Sequence, residues 1–330
     1  MRSKVSVIIP FYNSERSIER CARSLFEQTL HEIEYIFVDD GSTDNSIEIL
    51  RGVINEYPQR QEQIMILTNG KNCGLAESRM KGMLASKGEY IISCDSDDQA
   101  DKIMYECLYE YAKCGDYDYV WCDYYRTDGH NHNTIISQQC ATDKMTIIRK
   151  LLTGISSGII GSVWNRLFRR SILDNPLFVR SKGDMNEDLV TTIQFTLFSK
   201  RVGYLPRPLY YYYVSDDSIC TTIDFDKVQK NLKGSILNNN FIMDILHFNG
   251  LSGKLAKEIE CKKMSCKEVL IPVLDKKQAR ILWKDTYREI NANIISNPYI
   301  PKGSKTRAFL ILHNCYPLYK LFRMIYTAIK

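Results

Sequence analysis

The sequence has no run of about 20 apolar residues, which argues against a membrane-spanning helix. It has no CxxC pair either. Its eleven cysteines are scattered, Cys261 and Cys266 being the nearest two, so neither a zinc-site spacing nor a disulfide framework is present. That usage fits buried free thiols in a reducing cytosol. Neither GxGxxG nor GxxxxGK[ST] follows the first two strand-like runs, which argues against a dinucleotide-binding dehydrogenase and a P-loop NTPase. In "MRSKVSVIIPFYNSE" the apolar run between Lys4 and Pro10 is too short for a signal peptide. Histidine is scarce, five in all, and the "HNH" at 130–132 sits in a polar stretch that reads as a surface loop. No nucleic-acid-binding motif accompanies the net charge of +5, so no nucleic-acid partner is expected.

What is present is the composition of a globular chain: 330 residues, 44% hydrophobic and 25% charged, enough for one large core or two domains. The charge is unevenly placed. Residues 1–225 hold 25 Lys/Arg against 31 Asp/Glu, whereas 226–330 hold 19 against 8. Bulk charge in the first part is poor at holding polyanions, while the basic tail suits an anionic surface.

Residues 1–125 alternate strand-like and helix-like segments. The runs "VSVIIPFY" (5–12), "EYIFVDD" (34–40), "QIMILTN" (63–69), "EYIISCD" (89–95) and "YDYVWCDYY" (117–125) read as strands. Between the first two, Ile18, Cys21, Ala22, Leu25 and Phe26 fall on one helical face. Apolar strands separated by helices predict an α/β fold with a mainly parallel sheet covered on both faces. In such sheets ligands bind beyond the carboxyl ends of the strands. Polar groups stand at four of those ends: Tyr12 and Asn13, Asp39 and Asp40, Asn69 and Asn72, and Asp95 and Asp97.

Asp95, Asp97, Asp98 and Asp101 in "CDSDDQAD" raise the sharpest question, because carboxylates this close repel and resist burial. Asp-x-Asp at a strand end offers oxygen ligands to a hard divalent ion that bridges two phosphates. The alternative is solvation, with Asp98 or Asp101 capping the helix in "KIMYECLYEYAK". In "VDDGSTDNS" Gly41 supplies a turn and Ser42, Thr43 or Asp44 caps the next helix, which leaves the preceding carboxylates unexplained. A carboxylate there can accept from a base N–H, and Tyr12 can stack on the same base; a rim tyrosine is the plainer reading.

The ordered set "VSVIIPFYNSE", "VDDGSTDNS", "NGKNCGLAESRMKGMLASKGEY", "DSDD" and "NEDL" resembles the family 2 glycosyltransferases, strongly over residues 4–125 and more loosely to about 219. The resemblance implies a GT-A-type nucleotide-diphosphosugar transferase fold, a mostly parallel sheet flanked by helices with a C-terminal helical extension. Its parts would be a nucleotide-sugar-binding half (1–125), an acceptor-binding half of the same domain (126–225) and a basic helical extension (226–330). It implies transfer of a sugar from a nucleotide diphosphosugar, a UDP-sugar first, to a glycan or lipid-linked acceptor with inversion. By the same resemblance Pro10, Tyr12 and Asp40 line the base pocket, with Asn72 and Arg79 nearby. Asp95 sits by the ribose or the metal, Asp97 ligates Mn²⁺ or Mg²⁺, and Asp188 is the general base with Glu187 as the competing carboxylate. Trp164, Asn165 and Glu187 fall on the acceptor side.

Each motif has a plainer reading. Asn186 can cap a helix whose first turn carries Glu187 and Asp188. Arg79 can pair with Glu77 or Glu89 on a surface, and Trp164 can be core. The tyrosines at 210–213 alternate between core and rim on a strand. The family's processive members carry QxxRW and membrane-spanning helices, and neither occurs here, which favours adding one or a few sugars. Near the C-terminus Phe309, Leu310, Leu312, Tyr316, Leu318, Leu321, Phe322 and Ile325 lie among Lys and Arg, interrupted by Pro317. That segment either packs on its own protein or lies on an anionic bilayer, so the expected location is cytoplasmic or peripheral on the inner membrane face. Two other functions stay open: a non-catalytic donor-binding or scaffold subunit of a glycan assembly complex, and a nucleotidyltransferase, weakened by the missing glycine-rich loop.

Overall fold

Val5–Phe11 forms strand β1, and all seven of its residues are buried, as a central strand covered on both faces requires. A computed structural model of the chain describes residues 3–129, 133–154, 160–181, 183–214 and 224–321. The "HNH" stretch, the segment 215–219, and Phe322 and Ile325 lie outside the described residues. The elements following β1 are α1 (Ile18–Phe26), β2 (Ile33–Asp39), α2 (Ser46–Glu56), β3 (Ile64–Thr68), α3 (Leu75–Ala85) and β4 (Tyr90–Ser93). Then come β5 (Gln99–Ala100), α4 (Met104–Cys114), β6 (Tyr119–Thr127), β7 (Asn133–Ile136), α5 (Lys144–Leu152), β8 (Arg166–Arg169), α6 (Glu187–Phe198) and β9 (Val202–Tyr213).

The strands form one sheet in the order β3-β2-β1-β4-β8-β6-β9-β5, with β7 paired to β6. β1, β2, β3 and β4 pair in parallel, which puts their carboxyl ends along one edge. Beyond β4 the sheet is mixed rather than mainly parallel. The short β8 lies antiparallel to both β4 and β6, and β5 is antiparallel to β9, while β6 and β9 run parallel. A four-residue strand reached by a long return connection need not follow the right-handed crossover that keeps its neighbours parallel. The face of α1 expected from its spacing, Ile18, Cys21, Ala22, Leu25 and Phe26, is buried against the sheet core.

The chain divides into two compact units, Met1–Ile148 with Ile160–Ser218, and Arg149–Ile159 with Ile219–Lys330. The second contains α7 (Phe225–Phe248), α8 (Ala256–Glu268), α9 (Lys277–Asp285) and α10 (Lys302–Leu312) around its own core of Trp283, Leu270, Val273, Leu274 and Ile294. α10 ends before a left-handed Asn314, and a new helical stretch starts at 316, so Pro317 sits in a first turn, where its missing N–H costs no hydrogen bond. No described helix is long and apolar enough to cross a membrane.

Candidate active site

The end of β1 is braced on both sides. Asn13 is left-handed (φ 49°), its N–H donates to Ser42 Oγ at 3.1 Å, and its Oδ1 accepts from Thr43 N–H at 2.8 Å. Ser14 N–H donates to Ser46 Oγ at 2.7 Å, and Ser14 Oγ lies 2.9 Å from Ser96 Oγ beyond β4. Within this frame Tyr12 stays 44% exposed, an uncovered aromatic ring at the strand end. Pro10 is different: it is buried inside β1 opposite Val38 and presents no open face to a base.

At the β2 end, Gly41 takes φ +77°, and a Cβ there would lie 2.7 Å from the backbone of Lys71, so only glycine lets the two turns meet. Asp44 Oδ1 accepts from Ser46 N–H at the start of α2, the capping role expected of that turn. Asp39 accepts from Ser42 N–H at 2.9 Å. Asp40 is buried and committed: it accepts from Asn69 Nδ2 (2.8 Å), Cys73 N–H (2.9 Å) and Gly74 N–H (2.8 Å). Its carboxylate therefore holds the loop that opens α3, at the positive end of that helix. Asn72, in the same loop, is exposed. A second carboxylate closes the helix start from the far side. Asp184 Oδ1 accepts from Ala76 N–H at 3.1 Å, and Gly74 (φ +97°) leaves it room, since a Cβ there would come within 2.6 Å of Asp184.

One turn farther along α3, Arg79 is buried and joins the two acidic motifs. Its Nη2 donates to Asp95 Oδ1 at 2.8 Å and its Nη1 to Glu187 Oε1, across 16 and 108 residues of sequence. It does not pair with Glu77 or Glu89, so the surface reading of Arg79 is replaced by a buried bridge. Glu187 is equally buried, which removes it from the acceptor side and from competition for the role of base. Its neighbour Asp188, half-buried in the first turn of α6, accepts from Leu189 N–H at 2.7 Å. Asn186 precedes the helix in a left-handed conformation (φ 66°) and makes no capping side-chain hydrogen bond, contrary to the capping reading.

After β4 the four aspartates separate by role. Asp97 reaches solvent, yet the protein packed around its carboxyl group, and then Asp95, push it up to about 6. Asp98 lies in the loop between β4 and β5 but caps no helix: it is buried and accepts from Tyr210 Oη (2.8 Å) and Tyr213 N–H (2.8 Å) of β9. Asp101 does serve the helix start, accepting from Ile103 N–H at 3.1 Å.

Trp164 and Asn165, expected on the acceptor side, are both buried. Trp164 stacks on Tyr210 (4.5 Å between ring centroids, 13° between planes) and meets Tyr124 edge-on. Asn165 is fully buried, donating to Cys122 O at 2.7 Å and accepting from Ser162 Oγ at 2.8 Å, so its amide is engaged inside the protein. Three contributors escaped the sequence reading: Asp184, Tyr210 and Arg20, the last donating to Asp97 O. A signal for Asp184 exists in hindsight, since α3 starts at a glycine without a Ser, Thr, Asp or Asn cap of its own, and its first amides need an outside acceptor.

Asp95 and Asp97 offer only carboxylate oxygens, the donors a hard cation prefers, and Arg79 takes one oxygen of Asp95. Among the described residues no group of three or more His, Cys, Asp or Glu is arranged to hold a metal. Two carboxylates alone leave most of a hard divalent ion's six or more oxygen positions to other ligands.

The model of glycosyl transferase family 2 matches residues 6–175, just over half of the chain. The glycosyltransferase YibD of Escherichia coli (strain K12) is 32% identical over 226 residues, which covers 66% of this chain and 63% of that protein. The chain thus spans less than two thirds of that relative's length. Among solved structures, S. aureus TarS residues 1–349 in complex with UDP-GlcNAc gives a TM-score of 0.56 at 18% identity, covering 88% of this chain and 92% of that one. The mannosyltransferase PcManGT of Pyrobaculum calidifontis, in complex with GDP-Man and Mn²⁺, gives 0.52 at 14% identity, covering 94% and 85%. At these identities the likeness is one of fold, the GT-A type.

Proposed function

This chain belongs to glycosyl transferase family 2, and we propose that it transfers a sugar from a nucleotide diphosphosugar to a glycan or lipid-linked acceptor, with inversion at the anomeric carbon. The observation that carries the reading is the Arg79 bridge. It draws Asp95, at the end of β4, and the first turn of α6, where Asp188 lies, onto one buried cation although the two motifs are far apart in sequence. UDP is the first nucleotide to test, because the fold neighbour TarS was solved with UDP-GlcNAc.

Each residue then has a stated task. Tyr12 stacks on the base, with the exposed Asn72 beside it. Asp40 acts at one remove, by fixing the loop that carries Asn72 and the start of α3. Asp97, with Asp95, would hold a Mn²⁺ or Mg²⁺ ion, which when bound would supply positive charge to offset that of the departing nucleotide diphosphate. Asp188 takes the proton of the acceptor hydroxyl as that oxygen attacks the anomeric carbon from the face opposite the diphosphate. A single displacement needs one base and no second protein carboxyl, unlike a glycosidase. Glu187 and Arg79 hold Asp188 in place without touching the sugar.

The basic second unit exposes Phe309, Leu318 and Leu321 close in sequence to Lys302 and Lys320. This is the part assigned to peripheral contact with the cytoplasmic face of an anionic membrane.

Asp188→Asn tests the assignment. Sugar transfer should be lost while calorimetric binding of the nucleotide sugar stays near wild type. Unchanged turnover refutes Asp188 as base. Wild-type protein that binds donor but neither transfers nor hydrolyses it would establish the scaffold reading instead.

A further inference from the structure

The aspartate turn after β4 is held from beneath by one phenol. Tyr210, fully buried in β9, accepts from Asp95 N–H at 3.1 Å and donates to Asp98 Oδ2 at 2.8 Å. Asp98 N–H donates to Asp95 O at 3.1 Å, which closes the turn on itself, and Asp98 Oδ1 accepts from Tyr213 N–H. Trp164 lies flat against the Tyr210 ring, and Asn165 anchors the next residue to Cys122 O, so the "WN" pair supports this phenol rather than a ligand. On the outer side Arg20 donates to Asp97 O while its guanidinium lies 3.7 Å from the Tyr213 ring centroid. β9 and α1 thus converge on the turn of residues 95–98, and Arg79 of α3 adds a bond to Asp95.

Burying Asp98 is costly unless it does something. A plain loop would place a neutral side chain there. What the buried carboxylate achieves is geometric. By accepting the phenol proton it orients the Tyr210 oxygen lone pair toward Asp95 N–H, and so fixes the backbone that aims Asp95 and Asp97 out of the sheet edge.

We infer that Tyr210, oriented by Asp98, is a positioning residue for the donor site: it sets the separation and direction of the Asp95 and Asp97 carboxylates that receive the cation and the diphosphate. The inference rests on the proposed reading of those two carboxylates as the donor-side ligands. It gives the tyrosine run and the "WN" pair a role that neither core packing nor sugar stacking supplies.

The test uses the full chain and calorimetric titration with UDP in the presence of Mn²⁺, and with Mn²⁺ at fixed UDP. Tyr210→Phe keeps the ring on Trp164 and removes only the hydroxyl. UDP affinity should weaken on the order of tenfold, the effect of one buried hydrogen bond, and half-saturating Mn²⁺ should rise in parallel. A merely structural tyrosine would lower the melting temperature without moving either midpoint at temperatures where both proteins are folded. Tyr211→Phe, on the same strand and stacked on Tyr125, serves as the variant expected to leave both midpoints unchanged. If Tyr210→Phe does not fold, Asp98→Asn carries the test, because an amide can accept from only one of Tyr210 Oη and Tyr213 N–H where the carboxylate accepts from both. Wild-type binding with unchanged midpoints in the folded variant overturns the inference alone. Failure of the wild type to bind UDP with Mn²⁺ overturns both the inference and the donor-site reading beneath it.

Discussion

Replacing Arg79 with methionine should be among the most destabilising substitutions in the sheet-bearing unit. The Arg79 and Glu187 side chains are each 4% exposed, and Asp95 is 28% exposed. Arg79→Met removes one cation from between two carboxylates. Glu187 then remains buried without a counter-charge, which costs about 3–5 kcal/mol. Asp95 adds less, because water still reaches it and screens its charge. Two consequences separate this account from a simple packing defect. Arg79→Met with Glu187→Gln should recover more than half of the lost stability, since a neutral amide leaves no stranded charge. The loss in the single variant should also shrink as pH falls, because a carboxylate stranded by burial then takes up a proton. Urea unfolding read by pulsed hydrogen exchange in β1 and β4 reports this unit separately from the helical one, which a single global signal would blur. A single variant within about 1 kcal/mol of wild type, or a double variant no more stable than the single, refutes the bridge as the element holding the two motifs together.

The remaining predictions concern the exposed carboxylate and the basic unit. Asp97 is raised to about 6 by its surroundings and by Asp95, above its unfolded value near 3.9, so its contribution to stability is present at low pH and lost as pH rises through that window. In the presence of a chelator Asp97→Asn should therefore melt higher than wild type at pH 7.5, with the gap closing by pH 4, and it should lose metal-dependent donor binding. No gap at pH 7.5 sinks the crowding argument. For the second unit, the full chain should cosediment with vesicles rich in phosphatidylglycerol and not with neutral phosphatidylcholine, and Phe309→Ser should reduce that binding. Equal recovery with both vesicle types removes the membrane assignment.

Much of the region spanning residues 1–125 was legible because its signals are local. Apolar strands, the α1 face and the polar residues at strand ends all follow from spacings of two to four residues, and each was found where periodicity put it. The other half was not legible, for equally specific reasons. β8 is only four residues long, "RLFR", and its Arg166 is buried against Tyr119 Oη and Ser162, so no alternation betrays a strand. Trp164 next to Asn165 looks like a ligand contact because an aromatic and an amide side by side suit a sugar. Only the arrival of Tyr210, 46 residues later in the chain, turns the pair into support. Among the aspartates after β4, neighbours one position apart have opposite fates, Asp97 outward and Asp98 inward. Composition assigns both the same propensity, and β9 alone decides between them.

Charge balance across the site carries the functional assignment further than any one motif does. Carboxylates gathered at one sheet edge repel, and each must be neutralised, bonded or left to water. Asp40 and Asp184 are neutralised by the first amides of α3, a helix end that favours anions. Glu187 and one oxygen of Asp95 are matched by Arg79, and Asp98 by Tyr210 and the Tyr213 amide. These bonds are made to groups inside the fold, so those carboxylates are fixed before any substrate arrives. Asp97 keeps its contact with solvent and a carboxyl raised to about 6, and Asp188 stands half-buried beside the locked Glu187. Within the turn after β4 the exposed carboxylate is therefore Asp97, the one whose crowding a bound cation would relieve.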